Sequence, residues 1–511
     1  MPDSAARAVS RAGPAASPEP AARGLRQRNP STALAAGLGL LAAGLEGFAL
    51  SRPAGLLHGG AFDTSLYLGS AIRLVHGALP YRDFVLVQPP GVVLLMSPFG
   101  LLSLAVGSRY ALISLNLSAT LLAFADVALA GRVVRHLGWR AVLVTCGVFA
   151  VYPFLYAALG NGMLEALMDL LCLLGLNVAM SGDRLAGRWR IMLGGILFGF
   201  AGAVLIAAIV PVAVLAVICA SRPRRRLMPF AAGVVLGFAA PVMPFFVAAP
   251  GAFVRDTITA QLSRAPGGVR TPVMVRLGYM TFEGSAAETA IAAIVIASAV
   301  LLAFVVVRRR LTALEWFALA AAVAMSGAQF AIARYYDHFG AMLMPYLAIL
   351  LGISAQRLAS AWGRRGANLV PLVTAALVVS LLGALVVRIG YQAGVDPGPQ
   401  VDSVVPPGQC ATAAIYQSLV MADRFSSAVP GCPTLVDAVA TRLVYEPDQA
   451  GGVRVFQEMV HHTDYLVLDE PLDSALWADN FDPIRTYVTA NFQLVRTRNF
   501  WIYVRDGYPI A

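Results

Sequence analysis

A small set of polar residues stands apart in an otherwise apolar chain: Asp63, Asp83, Arg255, Gln261, Arg264, Arg276, Arg334 and His338. Carboxylates facing several arginines suit one task well. Arginine grips phosphate oxygens through paired charge-assisted hydrogen bonds. A carboxylate near a hydroxyl can take its proton as that oxygen forms a new bond. Arginine and histidine donors then stabilise the charge that builds up on a departing phosphate. Such a set suits transfer to a hydroxyl from a phosphate-bearing donor.

Those residues fall in loops between long apolar runs. Hydrophobic residues make up 58% of the 511-residue chain and charged residues only 13%, against about 25% charged in soluble domains. Mean hydropathy is +0.71. This is the composition of a polytopic membrane protein, with runs able to span a hydrocarbon core of ~30 Å. The net charge of +10 is no nucleic-acid footprint, because the basic residues cluster in short loops, the pattern that sets orientation. Every one of them is arginine, which codon usage explains.

One polar stretch between apolar runs organises the rest: "AFDTSLYLGSAIRLVHGALPYRDFVLVQPPG", residues 61–91, which carries Asp63, Arg73, Arg82, Asp83 and Gln88. Asp63 precedes a helical pattern in which Leu68, Ala71, Ile72 and Val75 share one face and Gly77 stops it. That predicts a short helix lying along the interface. A second interfacial or re-entrant helix is expected over 92–106.

Residues 1–30 read as a disordered cytoplasmic tail rich in Ala, Pro, Ser and Arg. The run 32–50 is the first span, with Glu46 near its outer end. Further spans are expected at about 109–131, 141–159 and 163–180, the last two joined at an outer tip "GNGMLE". The segment 191–220 has arginines at both ends; one helix of about 45 Å would put one cluster outside. Two legs meeting near Leu205 to Pro211 keep both inside. Spans at about 227–249, 287–307, 311–332, 339–356 and 367–387 complete a bundle of about eleven. The N-terminus is then inside and the C-terminus outside.

The expected domains are the tail, a transmembrane domain over 31–388, and an extracytoplasmic α/β domain over 389–511. In the last, "PGQCATAA", "DYLVLDE" and "FWIYVRDG" read as strands, and "VRVFQEMVHH" and "PIRTYVTANF" as helices. Of the five cysteines, Cys146, Cys172 and Cys219 lie in apolar runs as packing residues. Cys410 and Cys432 lie in the polar C-terminal part and form a disulfide candidate if that part is extracytoplasmic.

The first loop resembles the first external loop of GT-C superfamily glycosyltransferases. It is most similar to bacterial relatives of protein O-mannosyltransferases and lipid A aminoarabinose transferases. The pattern runs from an acid through an aromatic and a "G-x-P-Y-x-D" turn to a Pro-Pro pair, here Asp63, Tyr67, Gly77, Pro80, Tyr81, Asp83, Pro89 and Pro90. "FVRDTITAQLSR", "RYYDHFGAMLMP" and "ADRFSSAVPGCPTLVD" resemble an actinobacterial branch. The resemblance implies a GT-C-type bundle with a polyprenyl-phosphate sugar as donor. It implies inverting transfer to a cell-envelope glycan, lipid or protein at the outer face of the cytoplasmic membrane. Asp63 is then the base and Asp83 a second acid. Arg264, Gln261, Arg334, His338, Tyr67, Tyr81 and Gln88 are then the residues expected around the donor phosphate and substrate. Many relatives place a Lys in the short intramembrane hairpin, where this chain has Leu205.

Plainer readings stand beside these. Asp63 is also what a helix N-cap looks like, and Asp83 beside Arg82 is what a turn aspartate looks like. Arg334 and His338 follow a span, where interfacial anchors are common. Glu165 and Asp169 share a helix face and serve either function or a helix–helix hydrogen bond. His461, His462 and Asp464 fit a solvated helix end better than a metal. No metal site is expected and no cofactor is assigned, a divalent cation being left open. Two other classes remain: a transporter or lipid flippase, which would favour related halves that this sequence does not show, and a silent scaffold of the same fold, which Leu205 keeps in play.

Overall fold

Backbone polar groups in hydrocarbon must be satisfied within their own segment, so the apolar runs fold as helices. The structure, a computed structural model, describes residues 30–57, 62–221, 226–263, 270–281, 285–306, 310–332, 335–391, 396–414, 416–433, 435–445, 449–474 and 482–511. The bundle begins with α1 (Pro30–Leu50), α2 (Phe62–Val75), α3 (Gly91–Val106) and α4 (Ser108–Val134). It continues with α5 (Trp139–Ala150), α6 (Pro153–Gly160), α7 (Leu164–Ala179), a two-strand hairpin β1 (Met180–Ser181) and β2 (Arg184–Leu185), and α8 (Arg188–Val204). Next come α9 (Ile209–Ser221), α10 (Leu227–Ala248), α11 (Pro250–Val254), a π-turn Arg255–Thr259, α12 (Ala260–Ser263) and α13 (Val273–Met280). The long helices α14 (Ala286–Val306), α15 (Ala313–Ala331), α16 (Met344–Ala361) and α17 (Gly363–Tyr391) close the bundle.

Among the described residues, seven helices are long and apolar enough to cross a membrane, or eight if α5 and α6, bent by 53° at their junction, make one span. The expected count of about eleven also included α7, α8 and α9. These have 16, 17 and 13 residues, short of the ~20 that a full crossing needs.

The helices share two ends. At one end Arg226, after α9, donates to the Leu185 carbonyl before α8 at 2.9 Å. Residues 188–221 therefore leave that end and return to it, as the arginines on both flanks required. The turn is a break at Leu205, in extended backbone between α8 and a single 3-10 turn, Ile206–Ala208. Arg140 Nε donates to the Ala367 carbonyl at 2.9 Å. The Ala313 amide donates to the Asp183 carbonyl at 3.2 Å, so the starts of α15 and α17 are at this end as well. Arg357 of α16 is buried and bridges Glu315 of α15 at 2.9 Å.

Close helix approach explains one run of small residues. α8 and α10 run side by side with Gly195, Gly199, Gly233 and Gly237 at their seam; a Cβ on any of them would overlap the facing backbone. Small residues let helices meet where water supplies no driving force.

The C-terminal part carries a four-stranded sheet in the order β3 (Ala411–Ala413), β4 (Tyr465–Leu468), β6 (Trp501–Arg505), β5 (Phe492–Arg496). β3 and β4 are parallel and the other pairings antiparallel. Short helices surround it, including α18 (Gly398–Asp402), α19 (Gln417–Met421), α20 (Ala438–Val444), α21 (Gln449–His462) and α22 (Asp482–Asn491). The helix expected to run through Phe492 stops at Asn491. Phe492 opens β5 instead, and its backbone pairs with Arg505. Cys410 and Cys432 are joined by a disulfide.

This part rests on the end of the bundle that holds α2. Asp423 accepts the Ser108 amide at 2.6 Å, Arg109 pairs with Asp396 at 2.6 Å, and the Arg73 guanidinium lies 4.6 Å from the centre of the Phe425 ring. Burial pulls the pKa of Arg73 down, with Tyr416 opposing.

Candidate active site

Asp63 lies in the first turn of α2, one residue inside the helix rather than capping it. It is half-buried. The next residue fixes where it stands. Thr64 Oγ1 donates to the Gly160 carbonyl at 3.0 Å and accepts the Gly162 amide at 2.8 Å. The turn between α6 and α7 thereby clasps the start of α2. Gly162 has φ +77°, a left-handed conformation open to glycine. A Cβ there would sit 2.9 Å from the Tyr67 ring and 3.1 Å from the Asp63 backbone. Tyr67 is thus a wall of this junction, buried to 3% exposure.

The same turn reaches His338. Asn161 Nδ2 lies 2.9 Å from His338 Nδ1. Glu165 Oε1, at the first turn of α7, lies 3.8 Å from His338 Nε2. Asp337 Oδ1 lies 3.4 Å from Nδ1, so an acid faces each ring nitrogen. The Tyr336 ring stacks on the imidazole at 5.7 Å between centroids. Asp63 is within electrostatic reach of both Glu165 and His338. Elements distant in sequence therefore bring Asp63, Glu165, Asp337 and His338 to one place, at the end of the bundle opposite Arg226. One turn deeper, Asp169 of α7 and Asp126 of α4 are buried, and their carboxylate oxygens have no hydrogen-bond partner among the described residues.

Several residues expected to face a ligand are also bonded within the protein and brace the loop. Tyr81, at φ +68°, is buried. Its hydroxyl donates to the Gln88 carbonyl at 2.7 Å, and its ring meets Phe253 edge-on at 4.9 Å. Burial pushes the Tyr81 hydroxyl well above its ordinary range, with Asp256 adding to the rise. Gln88 enters through that carbonyl and is partly exposed. Gln261 Nε2 donates to the Val87 carbonyl at 2.7 Å, tying α12 to the same strip of chain. Asp83 accepts from Arg82 at 2.7 Å and from the Leu79 amide at 2.7 Å. The Arg82 hydrogen bond holds its carboxyl below the usual range. Asp256 is fully buried beside Arg255 at 2.8 Å, and burial raises its carboxyl despite that partner.

Arg276 is buried and donates to the Thr271 and Gln329 carbonyls at 2.8 and 2.9 Å, closing the end of α15. Arg255 lies 5.1 Å from the centre of the Tyr445 ring. Arg264 and Arg334 lie outside the described residues. The Pro89-Pro90-Gly91 turn abuts the break at Leu205: a Cβ on Gly91 would stand 2.5 Å from the Ala203 carbonyl oxygen. The helix hairpin thus supports the first loop from below. His461 stacks on Tyr487 at 3.9 Å, and the His462 ring bonds the Glu458 carbonyl at 2.8 Å. Among the described residues no group of three or more His, Cys, Asp or Glu is placed to hold a metal ion.

Sequence reasoning did not join Asn161 and Glu165 to His338 across some 177 residues. The signal was present in "GNGMLE", an asparagine and an acid at the tip of an otherwise apolar hairpin.

Residues 87–332 match the model of Glycosyltransferase family 87. In three dimensions the chain resembles ArnT from Cupriavidus metallidurans bound to undecaprenyl phosphate. The TM-score is 0.59 at 14% identity, over 93% of this chain and 97% of that one. The apo state of the same protein matches with a TM-score of 0.56 at 13% identity, over 86% of this chain and 93% of that one. The oligosaccharyltransferase of Archaeoglobus fulgidus, in complex with zinc and sulfate, gives 0.46 at 13% identity, over 93% of this chain and 73% of that one. No curated protein matches in sequence. The fold is that of the GT-C glycosyltransferases, as the first loop led one to expect.

Proposed function

We propose that this GT-C-type membrane protein is an inverting glycosyltransferase. It moves a sugar from a polyprenyl-phosphate donor to a cell-envelope acceptor at the outer face of the cytoplasmic membrane. The observation that carries the reading is the meeting of Asp63 with Glu165, Asp337 and His338 at one end of the apolar bundle.

Asp63 takes the proton of the acceptor hydroxyl. The oxygen attacks the anomeric carbon from the face opposite the phosphate, and the bond from that carbon to the phosphate oxygen breaks. Polyprenyl phosphate leaves with the electron pair, and the proton passes from Asp63 to solvent. General-base help of this kind is worth ~10²–10⁴-fold. His338, held by Asn161 and flanked by its acids, places positive charge beside the departing phosphate. The guanidinium groups of Arg264 and Arg334 grip the phosphate. Asp83, Tyr81 and Gln261 keep the loop in shape. A lipid-linked donor suits the location, because it arrives through the bilayer at a face that nucleotide sugars do not reach. Undecaprenyl phosphate bound to the structurally similar ArnT supports that donor class.

The test is transfer in proteoliposomes holding the full chain and labelled polyprenyl-phosphate sugars. Asp63→Asn should abolish transfer while the protein keeps its melting temperature. Wild-type turnover in that variant would remove Asp63 as the base.

A further inference from the structure

At the end of the bundle away from Asp63, a cavity of about 230 Å³ opens between the last turns of α4 and α7, the β1–β2 hairpin and the start of α8. Its polar lining includes Arg132, Arg135, His136, Asn177, Ser181 and Arg190. Asn177 lies twelve positions beyond Glu165 on α7, roughly 18 Å along the helix, so it is a separate place from the candidate active site.

Three features mark it as a built site. Arg190 is fixed by its bond to the Met180 carbonyl at 2.9 Å, and His136 by Asp183 at 2.9 Å. Arg132 and Arg135 are exposed and have no acceptor for their guanidinium groups among the described residues. The lining is therefore strongly positive, with Asp183 paired to His136 and no acid among the lining residues described. The tryptophans give its depth. Trp139, Trp189, Trp316 and Trp362 are all exposed and all stand at this end, where the indole belt marks the boundary between hydrocarbon and headgroups. Trp189 directly precedes Arg190.

We propose that this cavity binds a phosphate group, held by Arg132, Arg135 and Arg190. Basic pockets between spans at the headgroup level are suited to anionic lipid headgroups. The volume is below the ~300–1,000 Å³ of sites for larger ligands, and so fits a headgroup or a small phosphate. Helix C-termini also favour arginine through the dipole, but the dipole alone does not call for a walled cavity. The inference stands independently of the transfer reaction.

The test uses the purified full chain in neutral detergent. Native mass spectrometry and melting temperature are followed as phosphatidylglycerol or, separately, inorganic phosphate is added. Arg132→Gln/Arg135→Gln should weaken binding by at least ~10-fold, the loss of one or two charge-assisted bonds. Arg364→Gln/Arg365→Gln, which removes exposed charges at the same end, should change it little. Binding of phosphatidylglycerol alone, lost only in the pocket variant, identifies a lipid headgroup. Binding of inorganic phosphate lost in the same variant identifies a soluble phosphate. Equal losses in both double variants, or no binding of either ligand, would overturn the proposal. Should the double variant melt early without ligand, Arg135→Gln alone carries the comparison.

Discussion

Thr64 and Gly162 are joined by a hydrogen bond of 2.8 Å from the glycine amide to the threonine hydroxyl, and that hydroxyl donates onward to Gly160 at 3.0 Å. One side chain thus fastens the turn before α7 to the helix turn that bears Asp63. Thr64→Val keeps the shape and removes both bonds. Placement errors near 1 Å can cost up to ~10²-fold in rate, so turnover should fall by about 10- to 100-fold with little change in KM. Thr64→Ser should retain most of it. Steady-state transfer assays on both variants check this, and equal activity of the two would show that the clasp does not position Asp63.

Glu165 and His338 should behave as one unit. His338→Ala and Glu165→Gln should each lower transfer, and the double variant should be no worse than His338→Ala alone. Residues sharing a contact are non-additive, and the 3.8 Å approach of Glu165 Oε1 to Nε2 is the contact in question. A double-mutant cycle on transfer rates measures the coupling. Strict additivity would mean that Glu165 acts on something other than the imidazole.

Much of the architecture was legible because membrane insertion leaves its record in one dimension. The arginines at both ends of 191–220 forced two legs, and Arg226 does return to Leu185. What the sequence hid was how polar atoms are used. Tyr81, Gln261 and Asp83 are ligand-like residue types in a polar loop, yet their groups bond carbonyls, an amide and Arg82. Residue type cannot tell a backbone partner from a substrate. The approach of Asn161 to His338 depends on the 53° bend between α5 and α6, which periodicity does not report. The helix pattern before Phe492 ran on into β5 because Phe and Leu suit either period.

Asp83 gives a pH signature. Its carboxyl is held below the usual range by Arg82. A carboxyl depressed on folding adds stability above its unfolded pKa of ~3.9, and that stability is lost as pH falls through the folded value. Asp83→Asn should therefore lower the melting temperature at pH 7, and the difference should shrink progressively as pH falls below about 4. Because both side chains are exposed to solvent, the effect is small. Transfer at pH 7 should stay near wild type. A large loss of transfer with unchanged melting would make Asp83 a catalytic acid instead of a brace.

Gly91 tests whether the break at Leu205 supports the first loop. Its missing side chain lets the Pro89-Pro90 turn seat against the end of α8, where an added Cβ would come within 2.5 Å of the Ala203 carbonyl oxygen and 2.9 Å of the Val204 amide. These are backbone atoms and cannot rotate away, so Gly91→Ala must push the loop and the hairpin apart. Overpacking of this kind costs about 1–3 kcal/mol. The loop carries Tyr81 and Gln88 on one side of that turn, and α3 follows on the other. The shift should therefore reach the Gln261–Val87 bond and lower both the melting temperature and transfer. Gly77→Ala is the control: Gly77 is at positive φ, +90°, as Gly91 is not, and has no atom within 4 Å of its would-be Cβ. It should pay only the backbone strain of ~1–3 kcal/mol and leave loop contacts in place. If Gly91→Ala melts early but transfers at the wild-type rate below its melting point, the hairpin stabilises the fold without setting the geometry around Asp63. If it transfers poorly while still folded, the seat beneath the loop is part of how the site is held.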